Sequence, residues 1–248
     1  MDIVRYKKTS KNKYKITLSN NVELTLYEDV ILKKELLINK TINDKDLDDI
    51  KELNSYYEAY YFCISSLNSK FKSISDMKKI LVNKEYSDTI IDEVIDKLIE
   101  QGYLDDRKFV VSFINNQIIT TNKGPYKVVS ELNKHNISSN IINEEIENFD
   151  EEIQKEKINK IINRSIKSNK SRGGVVLKNK IINDLISNGY DIDIINKEIN
   201  NYSFSANKDI YKKEYDKIYK RLSKKYSGEE LKYKINEQLY RKGLYYED

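Results

Sequence analysis

Two adjacent aspartates, Asp105 and Asp106, stand in QGYLDDRKF (101–109). A carboxylate pair is a common acid/base arrangement, because close like charges push the two proton affinities apart. The same residues also suit a helix start. There the first caps orphan backbone N–H groups and the second meets the positive end of the helix. Context favours the start. Gly102 stands where a helix running through Leu98 has to end, and glycine takes the left-handed closing conformation without Cβ strain. NFDEE (148–152) again places acids at a helix start. His135 is the only histidine, so triads, His-metal clusters and paired imidazoles are excluded. His135 falls at a helix end, beside positions that elsewhere carry lysine, where a polar or cationic residue suits the dipole. Cys63 is the only cysteine and lies in the apolar AYYFCISSL, the setting of a core thiol. Within one chain it forms no disulfide framework or thiolate metal site. Gly173-Gly174 has neither the GxGxxG nor the GxxxxGK[ST] spacing of a phosphate loop. It reads as the opening of a helix, as does Gly124-Pro125. No catalytic residue, metal or cofactor is expected, and the chain reads as a non-enzyme.

Charge distribution is more informative. The net charge is only +4, yet residues 155–180 hold nine basic residues against the single acid Glu156. Lys157, Lys160, Arg164 and Lys167 step by three and four, so they line one helix face opposite Ile158, Ile161, Ile162 and Ile166. Lys170 and Arg172 follow, then Lys178 and Lys180 in LKNKI (177–181). A second row, Lys213, Lys217, Lys220 and Lys224, lies later in the chain, and LKYKI (231–235) repeats the first motif. Residues 54–104, with six basic and eight acidic residues, carry no such excess. Solvated helix faces look like this too, but a repeated row suits phosphates or an acidic protein groove. Tyr211, Tyr215 and Tyr219 recur every four residues, a core-like stripe rather than a base-stacking platform.

The elements that position these rows follow from periodicity. YKITLS (14–19) and VELTLY (22–27) alternate as half-buried strands do. For Tyr14, Ile16 and Leu18 to share a face with Val22, Leu24 and Leu26, the loop must be odd, most simply Ser19-Asn20-Asn21. EDVILKKELLI (28–38) then reads as a short helix. After residue 43 only helices are predicted, and they repeat. LVNKEYSDTII (81–91), LNKHNISSNII (132–142), LISNGYDIDII (185–195) and LYRKGLYYED (239–248) align, their leucines 51–54 residues apart. Glu85, Asn136, Gly189 and Gly243 are the shared turn, and Ser87, Ser138 and Asp191 the helix caps after it. Met77, Val128, Ile181 and Ile235, four residues before each leucine, extend the core stripe. Such spacing leaves room for three helices per unit, stacked as a modular array. The first helices are predicted at 54–69, 106–121, 151–168 and 206–225.

The expected fold is therefore mainly α: tandem three-helix repeats in an extended curved array behind a small N-terminal β-hairpin subdomain. The divisions are 1–42 (hairpin and short helix, separable from the rest), 43–104 (linker helix and repeat one), 105–149, 150–204 and 205–248. The last repeat runs out before its third helix. MDIVRYKKTSKNKYK lacks the apolar run of a signal peptide, and no stretch approaches a membrane span, so a cytoplasmic protein is expected.

GYLDDRKF (102–109), then KGPYKVVSEL (123–132), then tandem three-helix units behind a small β N-terminus, resemble the RecX family over essentially the whole chain. Lys70, Lys72 and Ser73 match the family's Arg-x-Arg-Ser entry with lysines for arginines, and His135-Asn136 stands where Lys-Gly is usual. The resemblance implies a regulator of RecA recombinase that binds the RecA filament on single-stranded DNA and inhibits its ATPase and strand exchange in recombinational DNA repair. The basic rows would then face DNA or acidic filament surface, and the chain would act as a monomer. A second function is a helical-repeat module that binds single- or double-stranded DNA directly through its basic face.

Overall fold

The computed structural model describes residues 1–205 and 208–244. The predicted first residues of the fourth unit's first helix, 206 and 207, and the YYED end of its motif (245–248) lie outside them. The chain divides into two compact units. One comprises residues 1–109 with 135–137, the other residues 110–134 with those after 137. The division falls within a helix, between Phe109 and Val110.

The first unit opens with a three-stranded antiparallel sheet in the order β1 (Ile3–Ser10), β2 (Lys13–Leu18), β3 (Glu23–Tyr27). Tyr14 pairs with Leu26 and Ile16 with Leu24. The Leu18 amide donates to the Val22 carbonyl, which closes a loop of Ser19, Asn20 and left-handed Asn21 (φ 63°). That is the register and the loop the parity argument requires. A third strand joins the predicted hairpin. β1 carries only Ile3 and Tyr6 toward the core, and a register shift between Ile3 and Arg5 breaks the period of two that would have revealed it. The short helix is corrected: α1 (Glu28–Lys33) ends five residues early, because Glu35 turns left-handed at φ 50°.

α2 (Asp44–Ser69) is one helix of 26 residues, not a linker helix followed by a first helix at 54–69. Asn43 caps it in a reciprocal capping box with Asp46. Its N-terminal half belongs to the sheet. Ile50 is buried with Ile16, Leu18, Leu26, Val30 and Ile31, and Leu47, Leu53, Tyr57 and Tyr61 pack on them. Tyr61 stacks on Tyr27 at 5.0 Å and donates to Asp29 at 2.8 Å, while Asn54 accepts from the Tyr27 amide at 2.9 Å. The C-terminal half joins α3 (Ile74–Asn83) and α4 (Asp88–Glu100) in a second core around Cys63, Met77, Leu81, Val94, Ile95 and Leu98. Burial pushes the Cys63 thiol up to about 12, so it is an inert core group.

Further helices follow in threes: α5 (Asp106–Thr120), α6 (Pro125–Leu132) and α7 (Ser139–Ile146), then α8 (Glu151–Ser168), α9 (Gly174–Ser187) and α10 (Ile192–Ile199). After them come α11 (Lys208–Leu222) and α12 (Gly228–Tyr240). Every aligned leucine and its partner four residues earlier is buried. All four shared turn residues are left-handed: Glu85 at φ 63°, Asn136 at 54°, Gly189 at 84° and Gly243 at 68°. Ser87 and Asp191 accept amide bonds at the starts of α4 and α10. Ser138 does not, and the α7 start is held by its carbonyl alone, which accepts from Ile142.

The turns also make the joints. The carbonyl of the residue just before the left-handed turn at Asn136, Gly189 and Gly243 accepts a bond from the N-cap of the preceding unit's second helix. His135 accepts from the Ser73 hydroxyl at 3.3 Å, Asn188 from the Gly124 amide at 2.7 Å, and Lys242 from the Gly173 amide at 3.0 Å. In the last two cases backbone meets backbone. A Cβ on Gly124 would collide with the Gly189 carbonyl, and one on Gly243 with the Gly173 carbonyl. At the first joint the cap is Ser73 and the turn is Asn136, and a side-chain hydroxyl spans the wider gap.

Candidate partner-binding surface

The predicted basic row on α8 divides in the structure. Ile158 and Ile162 are fully buried in the α8–α9–α10 core, with Ile161 and Ile166 half-buried beside them. This anchors the opposite face toward solvent. Lys157 leaves the row. It is half-buried, and its ammonium donates to the Thr121 carbonyl at 2.7 Å. Burial, then the neighbouring Lys160, pull its pKa down. Lys157 therefore ties α8 to the α5–α6 loop. Lys160, Arg164 and Lys167 remain exposed and line a shallow depression with Asn163 and Ser168.

Ser168 also borders an adjoining depression with Ser165, Asn169, Lys170, Ser171 and Lys180. The loop between α8 and α9 is fixed there by Asn169, whose side-chain oxygen accepts the amides of Ser171 (3.4 Å) and Arg172 (3.2 Å). Among the described residues Lys160, Arg164, Lys167, Lys170 and Arg172 have no carboxylate within ion-pair distance. By contrast Lys155 is bracketed by Glu151 and Glu152, whose hydrogen bonds raise its pKa. Lys178 donates to Asn200 at 2.9 Å, and Lys180 reaches Asp184 only at 4.0 Å.

On α11 Lys213, Lys217 and Lys220 are exposed, and Lys224 is exposed in the turn just after it. Its buried side is Ile218 and Leu222, packed on Ile235, Leu239 and Leu244, with the buried Glu214 bound by Lys242. Tyr211, Tyr215 and Tyr219 stack successively at 6.2 Å. The first two are half-buried against that core, as a core stripe requires, but Tyr219 emerges at 47% exposure between Lys217 and Lys220. Among the described residues no group of three or more His, Cys, Asp or Glu could hold a metal ion, and no helix is long and apolar enough to cross a membrane.

No family model matches the chain. Single relatives do, over its full length. It is 29% identical over 252 residues to a protein named Regulatory protein RecX from Streptococcus agalactiae, covering 100% of this chain and 96% of that one. A protein of the same name from Streptococcus sanguinis is 27% identical over 253 residues at the same coverage. Another from Staphylococcus haemolyticus is 25% identical over 248 residues, covering 98% and 92%. Over its full length the chain is similar to proteins named Regulatory protein RecX.

Solved RecX structures share the fold. A crystal structure of regulatory protein RecX superposes with a TM-score of 0.68 at 20% identity, covering 80% of this chain and 98% of that one. RecX from Lactobacillus salivarius gives 0.57 at 21% identity over 60% and 97%. The GYLDD stretch that carried the RecX resemblance now has two separate tasks. Asp105 accepts from the Lys108 amide at 3.0 Å and caps α5. Asp106 instead accepts from the Ile74 amide at 2.9 Å, at the start of α3, so its expected role at its own helix end is corrected. Burial chiefly, opposed by that bond, raises the Asp106 pKa. His135 places its Nδ1 2.6 Å from Asp76 and packs edge-on against Phe109 at 5.0 Å. Sequence reading could not join Ser73 and Asp76 with Asp106 and His135, which come from three separate segments.

Proposed function

We propose that this chain is a regulator of RecA recombinase. It engages the RecA filament assembled on single-stranded DNA and damps ATP hydrolysis and strand exchange, acting as a cytoplasmic monomer without a catalytic site of its own. Full-length likeness to proteins named regulatory protein RecX supports the regulatory role. The observation that carries the choice of surface is the set of exposed cations without carboxylate partners among the described residues: Lys160, Arg164, Lys167, Lys170 and Arg172, with Lys213, Lys217 and Lys220 on α11 and Lys224 just after it. Exposed cations left unpaired on helix faces and in the loops that follow them are available to phosphate or to acidic filament surface. Lys178 and Lys180 border this surface and help to shape it. The test is ATP hydrolysis by the cognate recombinase on single-stranded DNA, titrated with this protein. Inhibition well below one molecule per recombinase subunit is expected; hydrolysis unchanged at excess overturns the reading.

Direct binding of single-stranded DNA is the second reading, and Tyr219 favours it. Its exposed ring, flanked by Lys217 and Lys220, has the make-up of a base-stacking position between phosphate contacts. A competitor of this kind inhibits only when it covers the strand, and excess DNA relieves it.

A further inference from the structure

The N-terminal sheet presents a second cationic face, in the other compact unit. Strand register settles which residues share it. Tyr14, Ile16 and Leu18 of β2 turn toward the core, so Lys15 and Thr17 occupy the opposite side. Lys7 pairs with Lys15, Arg5 with Thr17, and Thr25 with Lys15 from the far strand. Arg5, Lys7 and Thr25 are exposed and Lys15 is half-exposed. Glu23, paired with Lys15 at 2.5 Å, is the one acid on this face. Arg5 and Lys7 have no carboxylate partner among the described residues.

This arrangement works against the sheet's own stability. Like charges directly opposite across an antiparallel pair are destabilising. Lysines on an edge strand are a known guard against edge-to-edge aggregation, which would account for Lys7 on β1. It does not account for Lys15, because β2 is the central strand and has no free edge. Successive outward residues on a strand lie about 6.8 Å apart and neighbouring strands about 4.8 Å. Arg5 and Lys7, with Lys15 shared with Glu23 beside them, are thus grouped at about the spacing of a polyanion's charges. The accompanying side chains are hydroxyls. The aromatics of these strands are engaged elsewhere: Tyr6 donates to the Leu36 carbonyl, Tyr14 lies under Lys8 at 5.4 Å and Tyr27 under Lys13 at 4.4 Å. A face of cations and hydroxyls without a free ring suits phosphates, not unstacked bases.

We infer that the outer face of the N-terminal sheet, through Arg5, Lys7 and Lys15, is a sequence-independent seat for the phosphate backbone of duplex nucleic acid. This goes beyond the filament reading and does not depend on it. The test uses the full chain and a labelled mixed-sequence DNA duplex of about thirty base pairs, with binding followed against salt. Changing Arg5, Lys7 and Lys15 together to Gln should weaken binding and flatten the slope of log affinity against log salt by about 0.9 for each cation removed. Melting temperature should stay about level, since the Lys7–Lys15 repulsion and the Lys15–Glu23 attraction are removed together. Lys7→Glu alone should raise melting temperature, by pairing with Lys15, and still weaken duplex binding. Unchanged duplex affinity and slope in both variants overturns the proposal and leaves edge protection as the role. Loss of binding to polyglutamate with duplex binding intact also overturns it, in favour of an acidic protein surface. Recombinase inhibition is measured separately with α8 and α11 variants, so the two readings fail independently.

Discussion

The carboxylate of Asp106 accepts the backbone N–H of Ile74 at 2.9 Å, across 32 residues of sequence, while its neighbour Asp105 caps the helix they both begin. Two adjacent acids therefore hold the starts of two different helices, α5 and α3. Neither faces a partner that would make the pair an acid/base couple.

Replacing each separately distinguishes these tasks. Asp105→Ser should retain stability, and Asp105→Ala should lose about 0.5–2 kcal/mol. Asp106→Ala should cost about 1–3 kcal/mol, because it strands the Ile74 amide in a partly buried site. Chemical denaturation of the three variants measures all of this. Loss of partner binding in Asp105→Ser at unchanged stability would contradict the capping role.

Asp106 also sets a pH dependence. Its folded-state pKa is raised, chiefly by burial, so the folded chain binds its proton more tightly than the unfolded chain does. Its contribution to stability is therefore greatest below the unfolded value and is lost as pH rises through the folded one. Asp106→Asn keeps an acceptor for Ile74 without the charge. Melting curves recorded across the acidic range should show this component in the wild type and not in the substituted chain. At neutral pH the substituted chain should be at least as stable as the wild type.

The joints between left-handed turns and second-helix starts offer an internal control. Gly189 and Gly228 both have positive φ, but a Cβ on Gly189 would strike the Lys127 backbone while one on Gly228 meets nothing within 4 Å. Gly228→Ala should cost about 1–2 kcal/mol from conformation alone. Gly189→Ala should cost clearly more, since two backbones must part. Equal melting temperatures for the two would show that the joint adjusts freely.

Removal of residues 1–42 tests the shared core. The sequence suggests a separable hairpin, but Leu47, Ile50, Leu53, Tyr57 and Tyr61 of α2 pack against the sheet. A chain starting at Asn43 should melt at lower temperature and expose apolar surface to dye. Wild-type melting and no dye binding would restore the separable subdomain.

The cationic rows predict a division between binding and stability. Arg164→Glu with Lys217→Glu should weaken inhibition of the recombinase ATPase, more at low salt than at high, with stability changed by only about 0.5 kcal/mol. Lys157→Ala should do the reverse, lowering stability through the lost Thr121 bond while inhibition persists. Inhibition by the double variant equal to wild type at both salts would remove these rows from the partner surface.

The sequence by itself determined the helical repeat, its turns, two of its three shared caps and its core stripes. It also determined the odd loop between β2 and β3. These depend on interactions within about four residues or on the strict period of two, and both leave a periodic trace. Tertiary structure decided what has no local trace. The bulge after Ile3 erased the alternation of β1, so the strand and its cationic face were invisible. A helix can serve two cores without interruption, so α2 carried no mark where the sheet ends and the first repeat begins. Lys157 and Lys160 are alike on a helical wheel, yet the Thr121 carbonyl desolvates and holds one and leaves the other free. Asp105 and Asp106 are alike in sequence too. Only the approach of Ile74 from another segment assigns the second its partner.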